Sequence, residues 1–313
     1  MTRHLLTLDS LGRDGILVNM ELAIHLKSIE GMARDALAGG RVGLIFEKPS
    51  TRTRVSFEAA AWGLGMLPIT LRPDELQLGR GEPVADTARV LSRYLTALAI
   101  RTFEQSKVEE LARYSTIPVI NALTDDHHPC QALADVMTLQ EEFGDLAGLR
   151  VAFIGDGNNV CHSLIQAAGY LGFTIAISTP EGFEPNAAIV EAARANCVVN
   201  GGAIEIGRDV RAAAKDADAI YTDVWASMGQ EKEREERARI FDGYCVTPDL
   251  MALANPRAIF LHCLPAHRGE EVLEEVIDGP QSRVWDEAEN RWYTEQALLY
   301  MLITGEERWE RMG

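Results

Sequence analysis

The sequence predicts an α/β protein of two doubly wound domains, each built around a largely parallel sheet. Short apolar runs alternate with helical patterns nearly throughout the chain, which is typical of this fold class. The 313 residues correspond to about two domains at roughly 150 residues each. A stretch bounded by glycines, Gly144–Gly148, marks the expected boundary. We therefore expect a first domain over residues 1–143, a second over residues 144–286, and a C-terminal helix at about 287–313 that packs back on the first.

Each domain has its own series of predicted strands, with helices between them. The strands of the first are Val42–Phe46, Leu67–Leu71, Ala97–Ile100 and Pro118–Asn121, followed by a helix at Gln131–Phe143. The strands of the second are Arg150–Ile154, Thr174–Ser178, Ala203–Ile206, Ala219–Val224 and Ala258–Cys263, and the last helix is expected near Glu287–Ile303. The charges of Glu231–Arg239 balance at helical spacing, which predicts a solvated helix.

Charge and cysteine usage narrow the possible partners and the location. The net charge of −17 argues against a nucleic-acid partner, because phosphate backbones select basic surfaces. No apolar run approaches the length of a membrane span, and charged residues follow the N-terminus too soon for the apolar core of a signal peptide. The five cysteines are odd in number and contain no C-x-x-C pair, which favours a reducing compartment and hence the cytoplasm.

Polar clusters that directly follow a strand are the candidates for a site, because ligands of open α/β sheets gather outside the carboxyl ends of the strands. The first cluster is Ser50–Arg54, after the strand that ends at Phe46. Ser50 or Thr51 can cap the next helix, whose N-terminus attracts an anion, and Arg52 and Arg54 add planar forks suited to phosphate. The G-x-x-x-x-G-K pattern is absent, so a nucleoside triphosphate is not indicated.

Two more clusters follow strands of the first domain. Arg101 directly follows the predicted strand Ala97–Ile100 and can face the same anion. His128 and Gln131 flank Pro129, which suits the first turn of a helix. An imidazole N–H and a side-chain amide there can polarise a carbonyl oxygen in the manner of an oxyanion hole. A zinc site of His127, His128 and Cys130 is a weaker interpretation, since no paired ligand spacing accompanies it.

Three clusters follow strands of the second domain. Gly155-x-Gly157 resembles the start of a dinucleotide fingerprint, but its third glycine is replaced by Val160 and the acidic residue expected after the next strand is missing. The tight turn instead presents Asn158 and Asn159 to a polar small molecule. The other two clusters contain Asp223, Ser227 and Met228 in one case and Cys263 and Leu264 in the other. A thiol at a strand end beside other polar clusters is a site candidate.

Taken together, these clusters resemble the motifs of the aspartate/ornithine carbamoyltransferase family, most closely those of its ornithine-specific members. The matching motifs are S-T-R-T-R at Ser50–Arg54, Arg101-Thr102, H-P-C-Q at His128–Gln131, D-G-N-N at Asp156–Asn159, D-x-x-x-S-M-G at Asp223–Gly229 and H-C-L-P at His262–Pro265. Gln77 in Q-L-G-R-G-E and the late Arg291 fit as well. The resemblance runs from about residue 41 to residue 300.

The resemblance implies two α/β domains with the active site in the cleft between them and a homotrimer in which Gln77 reaches a neighbour's site. It implies transfer of the carbamoyl group of carbamoyl phosphate to the side-chain amine of L-ornithine, with Arg101, His128 and Cys263 as catalytic residues and no metal or organic cofactor. The implied carbamoyl-phosphate residues are Ser50, Thr51, Arg52, Thr53, Gln77, Arg101, His128, Pro129, Cys130, Gln131, Cys263, Leu264 and Arg291. The implied ornithine residues are Asn159, Asp223, Ser227 and Met228.

Charge placement refines these roles. Making a lysine-like amine neutral at pH 7 costs roughly 4–5 kcal/mol, and a carboxylate beside it would increase that cost. We therefore expect Asp223 to pair with the α-ammonium group, and Cys263 to lie near the attacking nitrogen as a proton acceptor.

Three alternatives stay open. A sister transferase would use aspartate, acetylornithine, succinylornithine or putrescine as the amine. An NAD-dependent oxidoreductase is disfavoured by the defects in the fingerprint. A non-catalytic binding protein is disfavoured by the full set of polar strand ends. The direction of the reaction in the cell, toward arginine synthesis or breakdown, is left open by the sequence.

Overall fold

The computed structural model describes residues 3–72, 74, 76–226 and 234–306, and the chain divides into two compact units. Unit 1 comprises Met1–Met137 and Glu289–Gly313, and unit 2 comprises Thr138–Ala288. Each unit is a parallel sheet with helices between successive strands, so the predicted fold class is confirmed. No helix among the described residues is long and apolar enough to cross a membrane.

The sheet of unit 1 contains β1 (Arg41–Phe46), β2 (Leu67–Leu71), β3 (Ala97–Arg101) and β4 (Val119–Leu123). Its strand order is β2-β1-β3-β4 and all its pairings are parallel. Strand β2 therefore pairs with one edge of β1 and β3 with its other edge, and the direction of winding reverses between them. In such a sheet the ligand site is expected at the carboxyl ends of β1 and β3, where the winding reverses.

The helices of unit 1 accompany a parallel sheet in which β3 and β4 are buried along their whole length. They are α1 (Gly12–Ser28), α2 (Thr51–Gly63), α3 (Val84–Tyr94) and α4 (Gln105–Tyr114), with 3-10 helices at Leu8–Ser10 and Gln77–Arg80. Helix α5 (Pro129–Phe143) begins two residues earlier than predicted. Proline suits this first position because it lacks the main-chain N–H group, which has no partner within the first turn of a helix.

The last helix, α12 (Val284–Thr304), begins three residues before the predicted Glu287. Its part that belongs to unit 1 is anchored to that unit by buried amides. The Asn19 side chain of α1 donates to the Thr294 carbonyl oxygen at 3.1 Å. The Gln296 side chain donates to the Gly31 carbonyl oxygen at 2.7 Å. These bonds hold the residues around Arg291 against the rest of unit 1.

The sheet of unit 2 has the order β7-β6-β5-β8-β9, with parallel pairings throughout. Its strands are β5 (Arg150–Ile154), β6 (Thr174–Ser178), β7 (Ala203–Gly207), β8 (Ala219–Thr222) and β9 (Ile259–Leu261). The winding reverses between β5 and β8, which places the residues after these strands at the expected site.

Strands β8 and β9 end earlier than the sequence predicts, at Thr222 rather than Val224 and at Leu261 rather than Cys263. The local hydrogen bonds give the reason. The main-chain N–H of Val224 donates to the side chain of Asp223 at 2.8 Å, and that of His262 donates to the carboxylate of Glu287 at 2.9 Å. Side chains thus take the main-chain donors of these residues, so the segments that carry Asp223 and Cys263 follow their strands instead of belonging to them.

The helices of unit 2 are α6 (Asn159–Leu171), α7 (Ala187–Asn200), α8 (Val210–Ala214), α9 (Arg234–Ile240), α10 (Pro248–Met251) and α11 (Glu274–Ile277). The prediction of a solvated helix at Glu231–Arg239 is wrong for Arg237, whose side chain is buried. A guanidinium is buried only with partners, and Arg237 donates to Asp156 and to the Trp225 carbonyl oxygen, both at 2.7 Å.

Candidate active site

The first strand-end cluster is built on the N-terminus of α2. Ser50 is the N-cap residue, and its hydroxyl accepts a hydrogen bond from the main-chain N–H of Thr53 at 3.2 Å. Of the two capping candidates, Ser50 is therefore the cap, and Thr51 is the first residue of the helix. The first turn of α2 contains no acidic residue, so the positive end of the helix dipole is left for an anion.

Three arginines surround His128 at this end of the sheet. Strands β1 and β3 are paired with Phe46 opposite Arg101, which places Arg101 beside the segment that leads into α2. Burial of the His128 imidazole, and then the positive charges of Arg291, Arg101 and Arg52, hold its pKa well below the ordinary value of 6.5. The imidazole is therefore neutral at pH 7 and can donate a hydrogen bond to a ligand without carrying a charge.

A hydrogen-bonded chain of buried side chains joins α5 to α12. Arg291 donates to the Gln131 amide oxygen at 2.8 Å and to the Thr53 hydroxyl at 3.3 Å. It also donates through Nε to Glu295 at 3.0 Å, and Gln131 in turn donates to Asp135 at 2.8 Å. Glu295 and Asp135 were not identified from the sequence. Each lies one helical turn from a predicted site residue, and this spacing is equally typical of charges on an exposed helix face.

The structure brings together Arg52, Thr53, Arg101, His128, Gln131 and Arg291, which with Ser50 we call the unit 1 cluster. Gln77 is the first residue of the 3-10 helix Gln77–Arg80 and is exposed. The buried Cys130 thiol donates to the Asn121 carbonyl oxygen of β4 at 3.4 Å, so this residue offers a ligand its main chain only. Pro129, the first residue of α5, likewise has no side-chain donor to offer.

In unit 2, Asn158 organises the turn after β5. Its side-chain oxygen caps α6 by accepting from the N–H groups of Val160 and Cys161, and its Nδ2 donates to Asp223 at 2.6 Å. Asn159, which the sequence favoured, is the first residue of α6. A glycine is required at position 157, because a Cβ there would lie 2.3 Å from the main-chain nitrogen of Pro185.

Asp223 and Cys263 are in direct contact, and with Asp156 and Asn158 they form what we call the unit 2 cluster. The Cys263 thiol donates to Asp223 at 3.1 Å, so a ligand held by Asp223 would also touch Cys263. Burial raises the pKa of Asp156 to about 6, against the lowering effect of its bond with Arg237. Ser227 and Met228 lie outside the described residues.

The segment after β9 turns sharply and is held by two buried glutamates. Leu264 has a φ of 58°, a left-handed conformation that is rare for a branched residue and is typical of functional sites. The main-chain N–H of Leu264 donates to His262 Nδ1 at 2.8 Å, and His262 Nε2 lies 3.3 Å from Glu271. Nδ1 is thus the acceptor and Nε2 the donor. Glu271 and Glu287 were not identified from the sequence.

Two groups among the described residues have enough ligand atoms for a metal, Asp223, His262 and Cys263 in one and His267, Glu270 and Glu271 in the other. In the first, both His262 nitrogens are already engaged, and in the second Glu270 pairs with Arg234. The weak zinc interpretation of His127, His128 and Cys130 also fits poorly. Burial raises the pKa of Cys130, whereas a metal ligand must be a thiolate.

Comparison with known proteins gives matches over both units. Residues 3–141 match the carbamoyl-P binding domain of aspartate/ornithine carbamoyltransferase, and residues 147–302 match its Asp/Orn binding domain. An ornithine carbamoyltransferase of Gloeobacter violaceus is 51% identical over 301 residues, 96% of each chain. An anabolic ornithine carbamoyltransferase of Pyrococcus furiosus is 50% identical and covers 97% of each chain.

A solved structure agrees with these matches. The ornithine carbamoyltransferase from Pyrococcus furiosus superposes with a TM-score of 0.93 at 50% identity, over 97% of both chains. Matches of this extent, together with two parallel-sheet units that carry the expected polar strand ends, show that the chain belongs to the aspartate/ornithine carbamoyltransferase family.

Proposed function

We propose that this protein transfers the carbamoyl group of carbamoyl phosphate to the side-chain amine of L-ornithine, giving L-citrulline and phosphate. The observation that carries the proposal is the neutral His128 among three guanidinium groups at the capped N-terminus of α2. This combination suits a small dianion that also contains a carbonyl group. The family membership and the names of the relatives support the same reaction.

The unit 1 cluster is assigned to carbamoyl phosphate. Arg52, Arg101 and the N–H groups at the start of α2 hold the phosphate. Arg101 and His128, with the Thr53 hydroxyl, donate to the carbonyl oxygen, where negative charge develops as the amine attacks. Gln131 holds the carbamoyl amide through its side-chain oxygen, which Arg291 orients. We also keep Pro129, Cys130 and the Leu264 carbonyl among the proposed contacts, through their main chains.

The unit 2 cluster is assigned to ornithine. Asp223 pairs with the α-ammonium group, with Asn159, Ser227 and Met228 around the amino-acid end. Cys263, as the thiolate, takes a proton from the attacking nitrogen, and the resulting thiol donates to Asp223, which stays ionised and holds the α-ammonium group. The new C–N bond forms as the C–O bond to phosphate breaks, and the phosphate leaves with the bonding electron pair. Positioning and electrostatic stabilisation supply the rate.

We further propose a homotrimer in which Gln77 completes a neighbour's site. Unit 1 exposes several large apolar side chains that a subunit interface would cover, among them Trp62 (52% exposed) on α2, Leu67 (59%) on β2 and Tyr94 (61%) on α3. We place the enzyme in the cytoplasm, because all five cysteines are free. Arginine synthesis is the proposed context, since one relative is named anabolic.

The test is citrulline formation from carbamoyl phosphate with a panel of amines. We expect L-ornithine to react far faster than putrescine, L-aspartate or Nα-acetylornithine. Asp223 needs a free α-ammonium group, and a site built for a polar group rejects an analogue that lacks it. Equal rates with acetylornithine or putrescine would overturn the substrate, and the absence of any carbamoylated product would overturn the transferase.

A further inference from the structure

Glu295 has no role in the reaction as proposed so far, yet it ends the buried chain of hydrogen bonds that reaches Gln131. Glu295 and Arg291 lie one turn apart on α12, and their side chains are 0% and 4% exposed. Both Nε and Nη2 of Arg291 donate to the same carboxylate oxygen of Glu295. The carboxylate thus fixes the plane of the guanidinium, which leaves Nη1 directed at Gln131.

The direction of each bond determines which way the Gln131 amide faces. A guanidinium can only donate hydrogen bonds, so the Gln131 atom that meets Arg291 is the amide oxygen. The Gln131 nitrogen donates to Asp135 on the other side. With both ends occupied, the amide cannot turn over. Its oxygen keeps one lone pair, which is the correct partner for an N–H group of a ligand and a poor one for a methyl group.

Charge balance supports this role for Glu295. A guanidinium without its carboxylate turns toward another anion, and the Asp135 carboxylate of α5 already acts on Arg291. Paired with Glu295, Arg291 instead serves the amide end of the ligand. The other groups that face Glu295 are the Ser56 hydroxyl of α2, which favours its charged form, and the Cys130 thiol of α5, whose raised pKa keeps it neutral.

We propose that Glu295 is a positioning residue that makes the site select a carbamoyl group: it holds Arg291 so that Gln131 presents its amide oxygen to the ligand NH2. The inference rests on the proposed function. It predicts discrimination between carbamoyl phosphate and acetyl phosphate, which has a methyl group where carbamoyl phosphate has NH2 and is otherwise the same size and charge.

The experiment compares dissociation constants for carbamoyl phosphate, acetyl phosphate and inorganic phosphate in Glu295→Gln and wild type. We expect carbamoyl phosphate to bind at least tenfold more weakly to the variant, with the other two ligands changed less than threefold. Glu295→Asp should recover part of the preference. Glu289→Gln is the matched control, because Glu289 lies on the same helix with its side chain 50% exposed and should leave all three constants unchanged.

A purely structural role for Glu295 would weaken all three ligands together, and that result would overturn the inference. A wild-type protein that does not bind carbamoyl phosphate would instead overturn the proposed function. The inference alone fails if wild type prefers carbamoyl phosphate and Glu295→Gln keeps the same preference.

A second measurement needs no variant and so does not depend on the folding of one. Burial raises the pKa of Glu295 to about 7, against the lowering effect of Arg291 and Ser56, so the carboxylate gains a proton as the pH falls through that value. The preference of wild type for carbamoyl over acetyl phosphate should decrease severalfold from pH 8 to pH 6. Both ligands contain the same phosphate group, whose ionisation largely cancels in the ratio. A ratio that stays constant over this range would contradict the proposal.

Discussion

Replacing His128 by alanine tests whether a neutral imidazole stabilises the transition state. His128 is buried with a depressed pKa, so it offers an N–H group and no charge. The developing oxyanion accepts that hydrogen bond more strongly than the carbonyl oxygen of bound carbamoyl phosphate does. The substitution should therefore lower kcat and leave the KM for carbamoyl phosphate almost unchanged, because the guanidinium groups that hold the phosphate remain.

The size of the effect follows from the surroundings of His128. Its side chain is 5% exposed, so water cannot easily replace the lost donor. Removing one oxyanion donor from such a site costs about 2.7–4 kcal/mol, which at about 1.36 kcal/mol per tenfold is a decrease of about 10²–10³ in kcat. Arg101 and the Thr53 hydroxyl still donate to the same oxygen, so the loss should not exceed this range.

Steady-state citrulline formation as a function of pH is the assay, with circular dichroism to show that the variant is folded. His128→Gln and His128→Asn each restore an N–H donor, one near each ring nitrogen, and the better of the two should regain part of the activity. The reasoning is refuted if folded His128→Ala keeps a kcat within threefold of wild type. It is also refuted if wild type has an acid limb near pH 6.5 that disappears in His128→Gln, since that would show a charged imidazole.

Four further outcomes are expected. Arg52→Ala or Arg101→Ala should raise the KM for carbamoyl phosphate and lower turnover by orders of magnitude with the fold intact. A folded Arg52→Ala protein with wild-type kinetics would show that Arg52 is not part of the site. Asp223→Ala should lose most activity with ornithine while carbamoyl-phosphate affinity, measured by calorimetry, stays near wild type; a parallel loss of that affinity would show that the half-sites are wrongly divided. Mixing Gln77→Ala and Arg52→Ala subunits should restore activity if trimers re-form with one fully native site, and no recovery after proven subunit exchange would exclude a shared site. Because the folded-state pKa of His128 is depressed, the unfolded chain takes up the proton first below pH 6.5, so stability falls on acidification; urea unfolding of His128→Gln should show a shallower fall.

The sequence correctly predicted that polar clusters lie at the carboxyl edge of each sheet, because a parallel sheet brings the ends of its strands to one edge whatever the details of packing. Ser50, Arg101 and Asp223 each follow or end a strand, and both sheets place these strands at the reversal of winding. The sequence also predicted that Ser50 or Thr51 caps α2, because an N-cap bond joins residues only two or three apart. The structure identifies Ser50 as the cap.

The packing of elements that are far apart in the chain determines which side chains meet, and the sequence did not predict these contacts. Arg291 reaches Gln131 across 160 positions of the chain and Thr53 across 238. Glu295 has the spacing of an ordinary helical ion pair, and only the packing of α12 in unit 1 buries it and directs its partner at the amide. Arg237 shows the same limit, because its helix looks solvated in the sequence and its burial against Asp156 depends on the fold of unit 2. A sequence pattern determines which face a residue occupies on its own element, whereas desolvation and pairing depend on the element packed against that face.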